Sequence, residues 1–201
     1  MKPFARTLRC AVLLTLTFGC LLPVAAEKHS ITIADVRSGT ATLRQQQRLT
    51  ILEIKPRAGS VQRVALSHPS DYRQGTNAPY EAHLITENPN HFLIFTDTFA
   101  SNPSNVQGRC GASETGERFI HVVALDAIPH ETLAVLIDSC LLDLEAASQS
   151  PEWISKSDSA GFVGRIVLSF EHGTRPSVAY YIAPDGAVTR PQTERDPAKP
   201  H

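Results

Sequence analysis

Short β-type runs separated by clusters of Pro, Gly, Asn and Ser recur along most of this chain, and that rhythm constrains the fold more than any motif does. It favours antiparallel sheets over a helical bundle. His29 to Asp35 alternates around Ile31 and Ile33, and Arg37, Ser38 and Gly39 then turn the chain. Thr40 to Ile54 reads as a long, partly polar surface strand through Gln45, Gln46 and Gln47; Pro56 to Ser60 ends it and Val61 to Leu66 resumes an apolar pattern. Ser67 to Pro79 is a long polar loop.

Tyr80 to Thr86 and His91 to Phe99 flank Glu87, Asn88, Pro89 and Asn90, which predicts a hairpin. Phe92, Leu93, Ile94 and Phe95 in succession predict a central strand buried on both faces, paired with the β-branched stretch Arg118 to Leu125. Gly164 to Phe170, Ser177 to Ala183 and, after the turn Pro184, Asp185, Gly186, Ala187 to Thr189 predict a C-terminal meander. Leu133, Leu136, Ile137, Cys140, Leu141 and Leu144 recur at helical spacing, with Pro129 and Glu131 suited to a first turn and Asp138 and Asp143 to a polar face. The expected fold class is therefore α+β: mainly antiparallel sheet or sandwich with one short helix, with all-β as the alternative. After Cys140 the alternation of Leu142, Leu144 and Ala146 fits a strand as well.

The first residues supply an address. Lys2, Arg6 and Arg9 precede an apolar run from Ala11 to Val24, closed by small Ala25 and Ala26, and this reads as a secretory signal peptide over residues 1–26. The run is about 14 residues, short of the 20 or so that span a bilayer, so the expectation is cleavage before Glu27 and a protein that does not span the membrane. Thr17, Phe18 and Gly19 lack the branched residue that a lipoprotein signal places three positions before its cysteine, which argues against a lipid anchor at Cys20. The expected location is the periplasm or the medium of a bacterium. A single globular domain over 27–190 and a mobile Pro-rich tail over 191–201 complete the expected organisation.

Cleavage changes two balances. Of 4 cysteines, Cys10 and Cys20 leave, and Cys110 and Cys140 remain where disulfides persist. One bridge closing a loop of about 30 residues would stabilise by roughly 3–4 kcal/mol and would staple the helix to a loop. Of 19 basic residues three depart, leaving 16 against 20 acids. A mildly acidic chain gains nothing from phosphate neutralisation, so nucleic acid is not expected as a partner.

Motifs that would name a reaction are missing. His130 and Glu131 open a zinc-protease pattern, but Ala134 stands where the second histidine belongs. The glycines form no G-x-S-x-G elbow and no phosphate-cradling loop. Glu114 and Glu117 read as acids that solvate a turn rather than as a glycosidase pair, and His121, between Ile120 and Val122, reads as a buried hydrogen-bonded structural residue. No C-x-x-C or H-x-H spacing supports a metal. The sequence thus assigns no catalytic residue, no metal and no cofactor.

Two polar segments remain as candidate binding loops: His68, Asp71, Tyr72 and Arg73 in one, and Asn105, Arg109 and Glu114 beside Cys110 in the other. A stapled loop presents side chains at lower entropic cost. The functional expectation is an exported, non-enzymatic binding protein, of inhibitor or immunity type, acting on a protein partner in the cell envelope. The alternatives are a periplasmic hydrolase with dispersed catalytic residues, which convergence of His68, His83 or His91 with an acid in one cleft would favour, and a small-ligand carrier or envelope structural protein.

Overall fold

A computed structural model describes residues 30–36, 39–46, 49–68, 79–88, 91–100, 116–140, 142–155, 161–171 and 176–190. They form strands β1 (Ser30–Val36), β2 (Gly39–Gln46), β3 (Leu49–Pro56), β4 (Gln62–Leu66), β5 (Glu81–Asn88), β6 (Phe92–Phe99), β7 (Glu117–Ala124), β8 (His130–Asp138), β9 (Glu152–Ser155), β10 (Gly164–Leu168), β11 (Val178–Ile182) and β12 (Val188–Thr189). Three four-stranded antiparallel meanders result, β1 to β4, β5 to β8 and β9 to β12, each with neighbours in chain order. Among the described residues no helix occurs, and none forms a helix long and apolar enough to cross a membrane.

The β5 to β8 sheet is the middle layer. Every residue of β6 is buried, as two-sided packing requires. Leu93, Phe95 and Val123 face the first sheet, where they join Leu43, Leu52, Ile54 and Val64. Phe92, Ile94, Ile120 and Val122 point the other way and pack with Ile166, Leu168 and Ile182 of the third sheet. The edges of the first sheet also close on the middle one, β1 against β5 and β4 against β8. The outer sheets alternate: in β3, Thr50, Leu52 and Ile54 are buried while Ile51 and Glu53 are only partly so.

Glycine marks where the third layer comes closest. Gly186 lies at φ 87°, in the left-handed region open to glycine, and a side chain there would stand 3.0 Å from the Phe92 Cβ and 3.2 Å from Ala124. Its carbonyl accepts the Thr132 hydroxyl at 2.9 Å, tying the β11–β12 turn to β8.

The hairpin of β5 with β6, the pairing of β6 with β7 over Phe92↔Ala124 to Phe99↔Glu117, and the C-terminal meander match the sequence reading. The predicted helix does not. Leu133 to Asp138 belongs to β8, paired with β7 through two register shifts. Because β8 also buries residues on both sides, Leu133, Val135 and Ile137 toward the third sheet and Leu136 beside Phe99 and Phe119, its apolar residues do not alternate, and their spacing imitates a helix. Beyond it Ser139 and Leu144 exchange backbone hydrogen bonds around a turn holding Asp143 at φ 53°. Asp138 is paired with Arg118 and caps no helix face. Thr40 to Ile54 is likewise two strands rather than one, with Gln46 opposite Leu49. Cys140 lies half-buried just past β8; Cys110 is outside the described residues, and so is the expected bridge.

Candidate functional site

The interface between the first and middle sheets is apolar along most of its length and then changes character. Phe95 stands opposite His121, and Asp97 opposite Phe119, across the β6–β7 ladder. Asp97 and His121 are therefore diagonal neighbours on the face that looks toward the first sheet, within reach of each other's side chains. The His121 Nε2 lies 3.0 Å from Asp97 Oδ1. Glu131 sits opposite Val123 on β8, one pleat further along the same face, and its Oε1 lies 2.6 Å from His121 Nδ1.

The fourth member comes from the first sheet. Leu66 ends β4, the Ser67 N–H donates to Glu131 Oε2 at 2.8 Å, and His68 then turns its Nε2 to Asp97 Oδ2 at 3.0 Å. A continuous line of polar contacts thus runs from Ser67 through Glu131, His121 and Asp97 to His68, joining four strands of two sheets. The side chains of His68, Asp97 and His121 have 0% exposure and that of Glu131 has 8%. Phe95 stacks on His121 with centroids 5.1 Å apart, and Phe99 and Phe119 meet His68 edge-on at 4.7 and 4.8 Å.

Charge follows from geometry. Both ring nitrogens of His121 face carboxylate oxygens, which accept when ionised, so the ring donates from both sides and is positively charged. Burial pushes the pKa of His121 down, but the charge of Asp97 and the hydrogen bonds to Asp97 and Glu131 outweigh it and raise the value to about 9. For Asp97 burial pushes the pKa up, and the charge of His121 with hydrogen bonds from His121 and His68 overcomes this and lowers it to about 2. The cluster can therefore hold charge in the core. One donor atom from each of His68, Asp97 and His121 also lies within 4.8 Å of the other two, a combination that can ligate a metal ion.

Of the candidate binding-loop residues, His68 alone is described, and its imidazole is in the core rather than on a surface. Asp71, Tyr72, Arg73, Asn105, Arg109, Glu114 and Cys110 lie outside the described residues. His83 and His130 are more than half exposed and pair with Glu81 and Asp126 at the surface. His121 is buried and hydrogen-bonded, as its sequence position predicts. Asp97 and Glu131 were missed. The available signal was Asp97 itself, an acid in a strand read as buried on both faces, because a buried carboxylate requires a partner.

Comparison with protein-family models, with curated proteins and with solved structures finds no match to any of them.

Proposed function

We propose that the protein is an exported, non-enzymatic binding protein of the cell envelope, of inhibitor or immunity type, that acts on a protein partner. The observation that carries this reading is the burial of the His68, Asp97, His121 and Glu131 cluster. General acid–base chemistry requires a group within hydrogen-bond reach of the substrate, and the two imidazoles and Asp97 offer no exposed side-chain surface. Their contacts instead tie β4 to β6, β7 and β8, which suits a rigid frame that carries recognition loops. Signal cleavage before Glu27 and a Cys110–Cys140 bridge belong to the same reading.

The hydrolase alternative draws on one specific observation: His68 does converge with an acid, Asp97. It does so between two sheets rather than in a cleft. Two described concavities of about 180 and 200 Å³ lie elsewhere, the first beside Ser150 and Ser169 and the second over Arg44, Glu53 and Arg63. Both are smaller than the several hundred Å³ of an ordinary ligand pocket.

The test is affinity capture from envelope extract with protein beginning at Glu27, followed by calorimetry with the purified partner. If the partner is an enzyme, its activity is assayed with and without this protein. A saturable complex of fixed stoichiometry is expected. Absence of a partner at micromolar bait, together with ester, peptide or glycoside hydrolysis that Asp97→Asn abolishes, would replace this reading with the hydrolase.

A further inference from the structure

The geometry points to a binding site for one divalent transition-metal ion of the zinc class, with His68 Nε2, Asp97 and His121 Nε2 as its protein ligands and Glu131 as the orienting partner of His121. Four observations converge on it. First, the two imidazoles present the same nitrogen to opposite oxygens of one carboxylate, each at 3.0 Å, and one donor atom from each of the three residues lies within 4.8 Å of the other two. Two imidazoles and a carboxylate are a donor set suited to such ions.

Second, the ligand has its support. A metal-bound histidine ordinarily donates its other ring N–H to a carboxylate, and His121 does so to Glu131 at 2.6 Å. Glu131 is in turn fixed by the Ser67 N–H at 2.8 Å, next in sequence to the ligand His68. Third, the charges close. A dication with two neutral imidazoles, ionised Asp97 and ionised Glu131 sums to zero in a fully buried site, where any net charge is costly. Fourth, Phe95, Phe99 and Phe119 wall the cluster, supplying the apolar shell that limits solvent access around a metal.

The fit requires modest movement. Donors on a tetrahedral Zn²⁺ lie about 3.4 Å apart for bonds of about 2.1 Å, so a separation of at most 4.8 Å closes by at most about 1.4 Å through side-chain rotation. As the metal–nitrogen bonds form, the His121 imidazolium releases its Nε2 proton to solvent and keeps the Nδ1–H on Glu131, while His68 stays neutral by exchanging its Nε2 proton for one on Nδ1, so that one proton is released in all. A water molecule would complete the fourth position of a tetrahedral ion. Binding here joins the end of β4 to β6 and β7, and it requires no partner protein, so this inference stands or falls separately from the proposed function.

The experiment uses the chain from Glu27 onward, stripped with a chelator and titrated with Zn²⁺ alone, read by calorimetry and by elemental analysis after dialysis. One equivalent per chain at submicromolar affinity is expected. Glu131→Gln should keep that stoichiometry and weaken binding by about 10–100-fold. His68→Gln and His121→Gln should weaken it further, whereas His83→Gln and His130→Gln, at the surface, should leave it unchanged. X-ray absorption of the zinc-loaded natural sequence gives the ligand set without a variant, in case the core substitutions fail to fold. A shell with two imidazoles and a carboxylate supports the site. A shell without two imidazoles, or a stripped protein that is folded by near-ultraviolet circular dichroism and takes up no stoichiometric zinc, overturns it.

Discussion

The middle sheet has two faces built from the same two strands, and they solve burial differently. Toward the third sheet β6 and β7 present Phe92, Ile94, Ile120 and Val122, an interface held by area and shape. Toward the first sheet they present Leu93, Phe95 and Val123, and then Asp97 and His121. Apolar contact is nondirectional and tolerates sliding, while the polar line fixes which atom of β4's exit meets which atom of β6, β7 and β8. A buried ionic group is weak evidence for stability, because desolvation offsets the attraction. What it adds is an exact requirement for partners, and the two faces should therefore fail in different ways.

The largest difference should come from removing one partner on the polar face. Asp97→Ala leaves the charged His121 and the Nε2 donor of His68 buried with their shared acceptor gone, and a loss of about 3–5 kcal/mol is expected in urea denaturation. A cost below 1 kcal/mol would mean that water already shares the site.

Next in size is a dependence on pH that only the polar face should show. In chelator-treated protein the His121 imidazolium faces Asp97 and Glu131 and adjoins the ring of His68. Its folded pKa of about 9 stands above the 6.5 of an ordinary histidine, so its contribution is fully present below about pH 6.5 and is lost as pH rises through 9. Asp97 has the opposite sign: lowered from 3.8 to about 2, it stabilises above pH 3.8, and that stability is lost as pH falls through 2. Stability should be level across mildly acidic pH and decline toward pH 9 by about 3 kcal/mol. His121→Gln should flatten the alkaline limb; a limb that persists in that variant belongs to some other group.

The same contrast explains how much could be read in advance. Where burial follows local patterning, the sequence was legible: Phe92 to Phe95 identified the central strand, its pairing with Arg118 to Leu125 followed, and the closing meander was marked by Pro184, Asp185 and Gly186. β8 misled because a strand covered on both sides loses its alternation, and the register shifts at Arg118/Phe119 and Val122/Val123 disturb what remains. The polar cluster was hidden for another reason. His68 and Asp97 are 29 positions apart and Asp97 and His121 are 24, so local spacing carries no trace of their meeting. Pairing β6 with β7 would have placed Asp97 and His121 on one face; nothing short of the packing of two sheets would have brought His68 to them.

The smallest effect belongs to the apolar face and tests whether the two interfaces are separable. Ile166 is fully buried in β10, opposite Trp153 and Tyr180, and packs in the cluster that covers Ile94, Ile120 and Val122. Ile166→Val removes one methylene and should cost about 0.5–1.5 kcal/mol. No titrating group or ligand enters that cost, so it should be the same at mildly acidic and alkaline pH, with or without zinc, and should add to that of Asp97→Ala, since Ile166 packs from the third sheet against the face of the middle sheet opposite to the one that carries Asp97. Denaturation of the double variant at two pH values measures this. A coupling larger than about 0.5 kcal/mol would show that strain passes through β6 and β7 from one face to the other, and the two interfaces would then have to be treated as one core.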